Sequence, residues 1–278
     1  VKGPGPNGRI VSTDVKKYVE ESKTQAKKPA EPAVEKKPTA PKPKPVSIPA
    51  GGQVVPLTNI QKIVAERLTM SYQTAPHINI QLDVNCEKMM EIRNILKAQG
   101  LKVSYNDILA KFTAVVLKEF PRFNSVYEDD GVHLLEDINI GIAVAAGDDL
   151  VVPVVKNVDQ RDIAVIANES ARLIAAAREG KLMPDDISGG TLTITNLGMF
   201  GVRTFSPIIN PPQVAILAVG SIEPRAVVIP GQIIAQHMMT LSLSIDHRVV
   251  NGAHGGQFLS RLKELVETAS MEVLMNRL

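Results

Sequence analysis

The stretch from Ser22 to Gln53 constrains the fold of this chain more than any other. It is built from Lys, Pro and Ala, as in Ala40-Pro41-Lys42-Pro43-Lys44-Pro45, and has almost no large apolar side chain. Such a segment cannot offset its chain entropy by burial, and its prolines keep it semi-extended. The 278 residues therefore divide into 1–21, a flexible linker at 22–53, and a remainder at 54–278 that can bury a sizeable core. Formal net charge is only +2 and no aromatics interleave with the linker lysines, which argues against nucleic-acid binding. No apolar run approaches the ~20 residues a membrane helix needs. The single cysteine, Cys86, excludes an internal disulfide framework and suits a reducing compartment. The chain opens at Val1 without a signal-peptide pattern, which points to a piece of a longer protein. The expected setting is the cytoplasm, with the mitochondrial matrix as the alternative.

The first segment reads as a turn-rich loop, Gly3-Pro4-Gly5-Pro6-Asn7-Gly8, followed by a short helix through Val15, Tyr18 and Val19. From Val54 onward the pattern is that of one α/β domain. Helices are expected from Asn59 to Met70 with Thr58 as N-cap, from Cys86 to Ala98, from Tyr105 to Phe120, from Ile163 to Glu179 and from Gly255 to Thr268. Strands are expected over Ile78–Val84, Ile138–Ala145, Leu150–Val155, Thr191–Thr195, Val214–Val219, Ala226–Ile229 and Met238–Ile245. These alternate without a strict βαβ repeat, so the sheet should be mixed.

The chemically pointed stretch is Asp246-His247-Arg248-Val249-Val250-Asn251-Gly252-Ala253. It follows the alternating run Thr240–Ile245, so a strand ends at an imidazole flanked by an acid and a base. A lone histidine is ordinarily a residue satisfied by hydrogen bonds. At a strand end before a turn it can instead be aimed into a cleft, and an unperturbed pKa of ~6.5 suits proton transfer. Asp246 and Arg248 read as a local ion pair holding the loop, with substrate contacts as the alternative. The second candidate is Thr195, in the strand that runs into the glycine-punctuated turn Asn196-Leu197-Gly198-Met199-Phe200-Gly201. Taken alone, its hydroxyl merely bonds backbone near the turn. His77, His133, His237 and His254 stand singly, without metal-ligand spacing, so no metal site is expected. There is no phosphate loop and no Gly-x-Gly-x-x-Gly fingerprint.

The Asp-His-Arg-Val-Val-Asn-Gly-Ala stretch closely resembles the active-site signature of dihydrolipoamide acyltransferases, the core components of 2-oxo acid dehydrogenase complexes. Asn139–Val144 with Leu150–Val155, and Asn210–Leu217, look like other core segments of that family, and residues 1–21 resemble the closing half of its peripheral-subunit-binding domain. The resemblance implies a two-layer α/β sandwich with a mixed sheet, like chloramphenicol acetyltransferase, acting as a trimer. It implies acyl transfer between dihydrolipoamide and coenzyme A, both as substrates, with no metal. His247 would be the general base and Thr195 the oxyanion donor of the neighbouring chain; Thr193 is a rival whose spacing matches less well. Asn251 stands where the family more often carries aspartate. It keeps hydrogen bonding and tolerates a left-handed turn, so its role is expected to be mainly structural. Leu197–Gly201 looks most like acetyl-transferring members, those of the pyruvate complex, with branched-chain, succinyl and non-catalytic scaffold versions as alternatives. Trimers would assemble into cubic or dodecahedral cages, with Val273, Leu274, Met275 and Leu278 packing on an adjacent trimer. The partners implied are the 2-oxo acid decarboxylase and dihydrolipoamide dehydrogenase components. A lipoyl domain is absent from the segment in hand.

Overall fold

In the computed structural model the described residues are Lys16 and 53–275, apart from Asp148. The expected partial domain at 1–21 and the linker at 22–53 lie outside them, Lys16 and Gln53 excepted. Leu278 does too.

The elements in chain order are α1 (Asn59–Thr74), β1 (His77–Asn85), α2 (Glu87–Ala98), α3 (Tyr105–Glu119), β2 (Ser125–Glu128) and β3 (Gly131–Leu134). Next come β4 (Ile140–Ile142), β5 (Val144–Ala146), β6 (Asp149–Val151), β7 (Val154–Val155), α4 (Ile163–Arg178), β8 (Leu192–Asn196) and β9 (Ala215–Val219). The last are β10 (Glu223–Ile229), β11 (Gln232–Asp246), α5 (Gly252–Thr268) and α6 (Met271–Met275). The main sheet runs β1-β11-β9-β8-β4-β7, with β10 pairing to β11. Pairings β4–β8 and β8–β9 are parallel and the others antiparallel, so the sheet is mixed, as expected.

Helix starts follow from local chemistry. Thr58 accepts from the Gln61 amide while the Gln61 side chain returns a bond to Thr58, each 3.1 Å, closing a capping box at α1. Ser104 and Asp107 do the same at α3, and Asp162 caps α4. Asp107 is itself buried and also accepts a bond from Ser170 of α4, so one carboxylate ties two helices together.

α3 is buried along most of its length and carries Lys111 into the interior. The Lys111 ammonium donates to the carbonyls of Asp159 at 2.9 Å and Arg161 at 2.7 Å, which fastens the segment before α4. Burial pushes its pKa down to about 8. Phe123 and Phe258 pack with ring centroids 4.5 Å apart, locking α5 beneath the end of α3.

β11 has two different faces, and both are satisfied. Leu241, Leu243 and Ile245 enter the core under the helices. On the other face Ser242 meets Thr204 at 3.0 Å, and Ser244 donates to the Pro207 carbonyl at 2.6 Å, so an extended segment covers the hydroxyl side. The strand is thus held on both sides up to Asp246. Cys86, just before α2, is fully buried, and loss of solvent pushes its thiol up to about 12.

The structure departs from expectation in several places. The two apolar strands expected at 138–145 and 150–155 each split: β4 and β7 pair in the main sheet, while β5 and β6 form a separate hairpin. Pro153 sits at the break and has no amide to continue a ladder. β11 starts at Gln232, earlier than expected, because it continues into a hairpin with β10. The β2–β3 hairpin was missed, although Asp130-Gly131 is a turn signal. The expectation for the C-terminal segment is corrected at Leu274 alone, which is fully buried; Val273 packs partly on the core of its own chain, and Met275 is exposed. A buried Leu274 is not available to dock on a neighbour. Among the described residues no helix is long and apolar enough to cross a membrane.

Candidate active site

His247 lies one residue beyond β11, and its side chain is exposed. Its backbone amide donates to the Pro76 carbonyl at 2.9 Å, and the amides of Val249 and Val250 both return to the Asp246 carbonyl. The flanking acid and base pair with each other and not with the imidazole. Arg248 Nε lies 3.0 Å and 3.1 Å from the two Asp246 carboxylate oxygens, with Nη2 at 2.6 Å from the second. Asp246 is buried, and its hydrogen bonds raise the Arg248 pKa further. The expected local ion pair is therefore present, and it fixes the turn that carries the ring.

Asn251 stands at the start of a helix. Its backbone is extended, φ −95° and ψ 170°, not left-handed. It is the N-cap of α5, with Oδ1 accepting from the His254 amide at 3.0 Å. The helix accordingly begins at Gly252, three residues before the expected start. Asn251→Ala should destabilise the protein by about 1 kcal/mol, whereas Asn251→Asp should retain the cap. Thermal unfolding of the two variants measures this.

Thr195 ends the other half of the picture. Thr193 and Thr195 share a face of β8. The Thr193 hydroxyl is buried and donates to Gln213 Oε1 at 2.7 Å, so its proton is engaged within the chain's interior. Thr195 is half-buried and lines a cleft with Asn106, Ile142, Leu197 and Phe200. Asn196 donates to Asn106 at 2.7 Å and accepts from the Gly198 amide at 2.8 Å, so the turn after Thr195 is pinned from both sides. A Cβ on Gly198 would lie 2.6 Å from the Gly220 carbonyl oxygen, so only glycine lets this turn approach the neighbouring strand end.

The described chain does not bring His247 and Thr195 together. Thr195 is in register with Ala218 of β9, and Ala218 with Ser242 of β11. His247 is five residues further along β11. At ~3.3 Å per residue and ~4.8 Å per strand, the Cα positions of the two residues are separated by roughly 19 Å along and across the sheet.

Two of the other histidines, His77 and His133, fall into structural roles. His77 has Nδ1 2.7 Å from the Ala75 carbonyl and accepts from the Ile209 amide at Nε2, 3.1 Å, so both nitrogens are engaged. His133 meets Asp130 at 2.7 Å and Glu128 at 3.8 Å on the β2–β3 hairpin, a proximity that spacing alone did not reveal. The Asp130 bond raises the His133 pKa and lowers that of Asp130, as in an ion pair.

Fold and site together define a class: a mixed-sheet α/β catalytic domain with a free histidine at the end of a central strand. The chain belongs to the family described as 2-oxoacid dehydrogenases acyltransferase (catalytic domain), whose profile matches residues 49–275. Among curated relatives, the dihydrolipoyllysine-residue acetyltransferase component of the pyruvate dehydrogenase complex from Rickettsia bellii is 38% identical over 100% of this chain. The chain spans 64% of that relative's length. Among solved structures, the dihydrolipoamide acetyltransferase of Azotobacter vinelandii is 34% identical with a TM-score of 0.79, covering 84% of this chain and 99% of that one. That structure belongs to a crystallographic and enzymatic investigation of a serine, a histidine and an asparagine in its catalytic mechanism. The cubic core of a pyruvate dehydrogenase multienzyme complex is 35% identical with a TM-score of 0.80, covering 85% of this chain and 100% of that one.

Proposed function

We propose that this chain transfers an acyl group, acetyl foremost, between dihydrolipoamide and coenzyme A as the core of a 2-oxo acid dehydrogenase complex. The observation that carries this reading is the exposed imidazole of His247, projecting from a turn whose flanking Asp246 and Arg248 are engaged with each other. An alkyl thiol is mostly protonated near neutrality, and the thiolate is the effective nucleophile. His247 takes the proton of the coenzyme A thiol as its sulfur bonds to the thioester carbon. The carbonyl becomes a tetrahedral oxyanion, to which a threonine hydroxyl donates. Collapse breaks the bond to the dihydrolipoyl sulfur, and the proton held by His247 passes to that sulfur. No covalent acyl-enzyme is formed.

Residue spacing supports the assignment. In the Azotobacter vinelandii protein the serine precedes the histidine by 52 residues and the asparagine follows it by four, the intervals from Thr195 to His247 to Asn251 here. Thr195 takes the donor role and His247 the base. Asn251 holds the turn from which His247 projects, since its Oδ1 is occupied by the cap. The roughly 19 Å between His247 and Thr195 of one chain requires the second group to come from a neighbouring copy, which supports a trimer with shared sites. The likeness to the cubic core supports assembly into a cage that engages decarboxylase and dihydrolipoamide dehydrogenase components. A cytoplasmic setting accords with the bacterial relatives.

The test is coenzyme A acylation with acetyl-, isobutyryl- and succinyl-dihydrolipoamide. Preference for the acetyl donor is the expected result. Preference for another donor would move the chain to a different complex, and no turnover with any donor would leave a scaffold.

A further inference from the structure

The β2–β3 hairpin stands apart from the main sheet and buries little. A single bridge from Val126 to Gln213 joins it to β9's approach, and Tyr127 is 39% exposed. Its packing contribution to the core is therefore small, yet it reaches the turn carrying His247 at two points. The Tyr127 ring lies against the Arg248 guanidinium, 4.2 Å from centroid to Cζ. Arg122, just ahead of the hairpin, donates Nη1 to the Val249 carbonyl at 3.2 Å.

The ring settles a competition. Arg248 is bound to Asp246, but the carboxylates of Glu128 and Asp129 line the same cavity as that pair. Either would attract a guanidinium that left Asp246. A flat aromatic face within cation–π reach holds the planar fork in the one orientation that also gives it both Asp246 oxygens. Asp246 and Arg248 are the residues on either side of His247, so whatever holds them holds the imidazole's aim.

We propose that Tyr127 is a positioning residue for His247, acting through Arg248 and Asp246. It rests on the reading of His247 as the base. Small misplacements of a reacting group cost large factors in rate without altering substrate affinity.

The test uses the full chain with Tyr127→Leu and Tyr127→Phe. Amide hydrogen exchange is followed over residues 246–250, alongside kcat and KM for coenzyme A acylation. Tyr127→Leu should exchange roughly tenfold faster in that segment and lose roughly tenfold in kcat, with KM held within about twofold. Tyr127→Phe, which keeps the aromatic face, should restore both. Wild-type exchange in Tyr127→Leu would overturn the proposal, as would faster exchange with unchanged kcat, or a Tyr127→Phe as impaired as Tyr127→Leu. Were the wild-type protein itself inactive with every donor, the functional reading would fall, and exchange alone would decide the brace.

Discussion

Replacing His247 with alanine should lower kcat by about 100- to 10,000-fold, the range a positioned general base contributes. The loss should appear in turnover and leave the melting temperature nearly unchanged. The reason is structural: the side chain is exposed, and the bonds that hold the turn come from the backbone and from Asp246 and Arg248. Removing the ring leaves that scaffold standing. The same separation gives a comparison with Asn251→Ala, which strips a helix cap. There the stability loss should dominate, and a turnover loss as large as that of His247→Ala would contradict a capping role. Steady-state kinetics and thermal unfolding on the same three proteins suffice.

Replacing Thr195 with valine preserves its shape and removes its hydroxyl, and should cost roughly 100- to 1,000-fold in kcat, the value of one oxyanion donor. The more demanding expectation concerns mixtures. Sheet geometry keeps Thr195 and His247 of one chain far apart, so under the proposed mechanism each reacting centre takes one group from each of two copies. A His247→Ala chain and a Thr195→Val chain are then each impaired at least about 100-fold alone. Co-expressed in equal amounts, they should recover about a quarter of the wild-type rate, the statistical share of interfaces in a closed ring that pair an intact histidine with an intact threonine. Co-assembled mixtures with no recovery would refute the shared site.

What was legible in the sequence was local. Thr58 announced the start of α1 because capping is a matter of a few consecutive residues. The alternation of Thr240–Ile245 announced β11 because its two faces meet different surroundings, apolar core on one side and hydroxyl partners on the other. The Asp246–Arg248 pair could be read from adjacency. What depended on chain segments meeting from afar was hidden. The splitting of the strands at 138–155 depends on which neighbour each half pairs with. The β2–β3 hairpin shows no apolar alternation because it buries little, and the partner of Arg248 on it is more than a hundred residues away in the chain. Asn251 was read as a turn residue because its neighbour is glycine; its use as a cap emerges only once the helix is seen to begin at Gly252. The separation of Thr195 from His247 follows from the strand order, which no short motif encodes.

One further consequence belongs to Cys86, the chain's single thiol. Burial pushes its pKa up to about 12 and seals its sulfur in the interior, so the thiolate is strongly disfavoured at neutral pH. Under the proposed acyl-transfer activity, a reactive thiol at this position would compete for the acyl group, and burial prevents that. A buried, protonated Cys86 also resists thiol-reactive dyes while this domain is folded, so labelling at Cys86 reports the domain's unfolding.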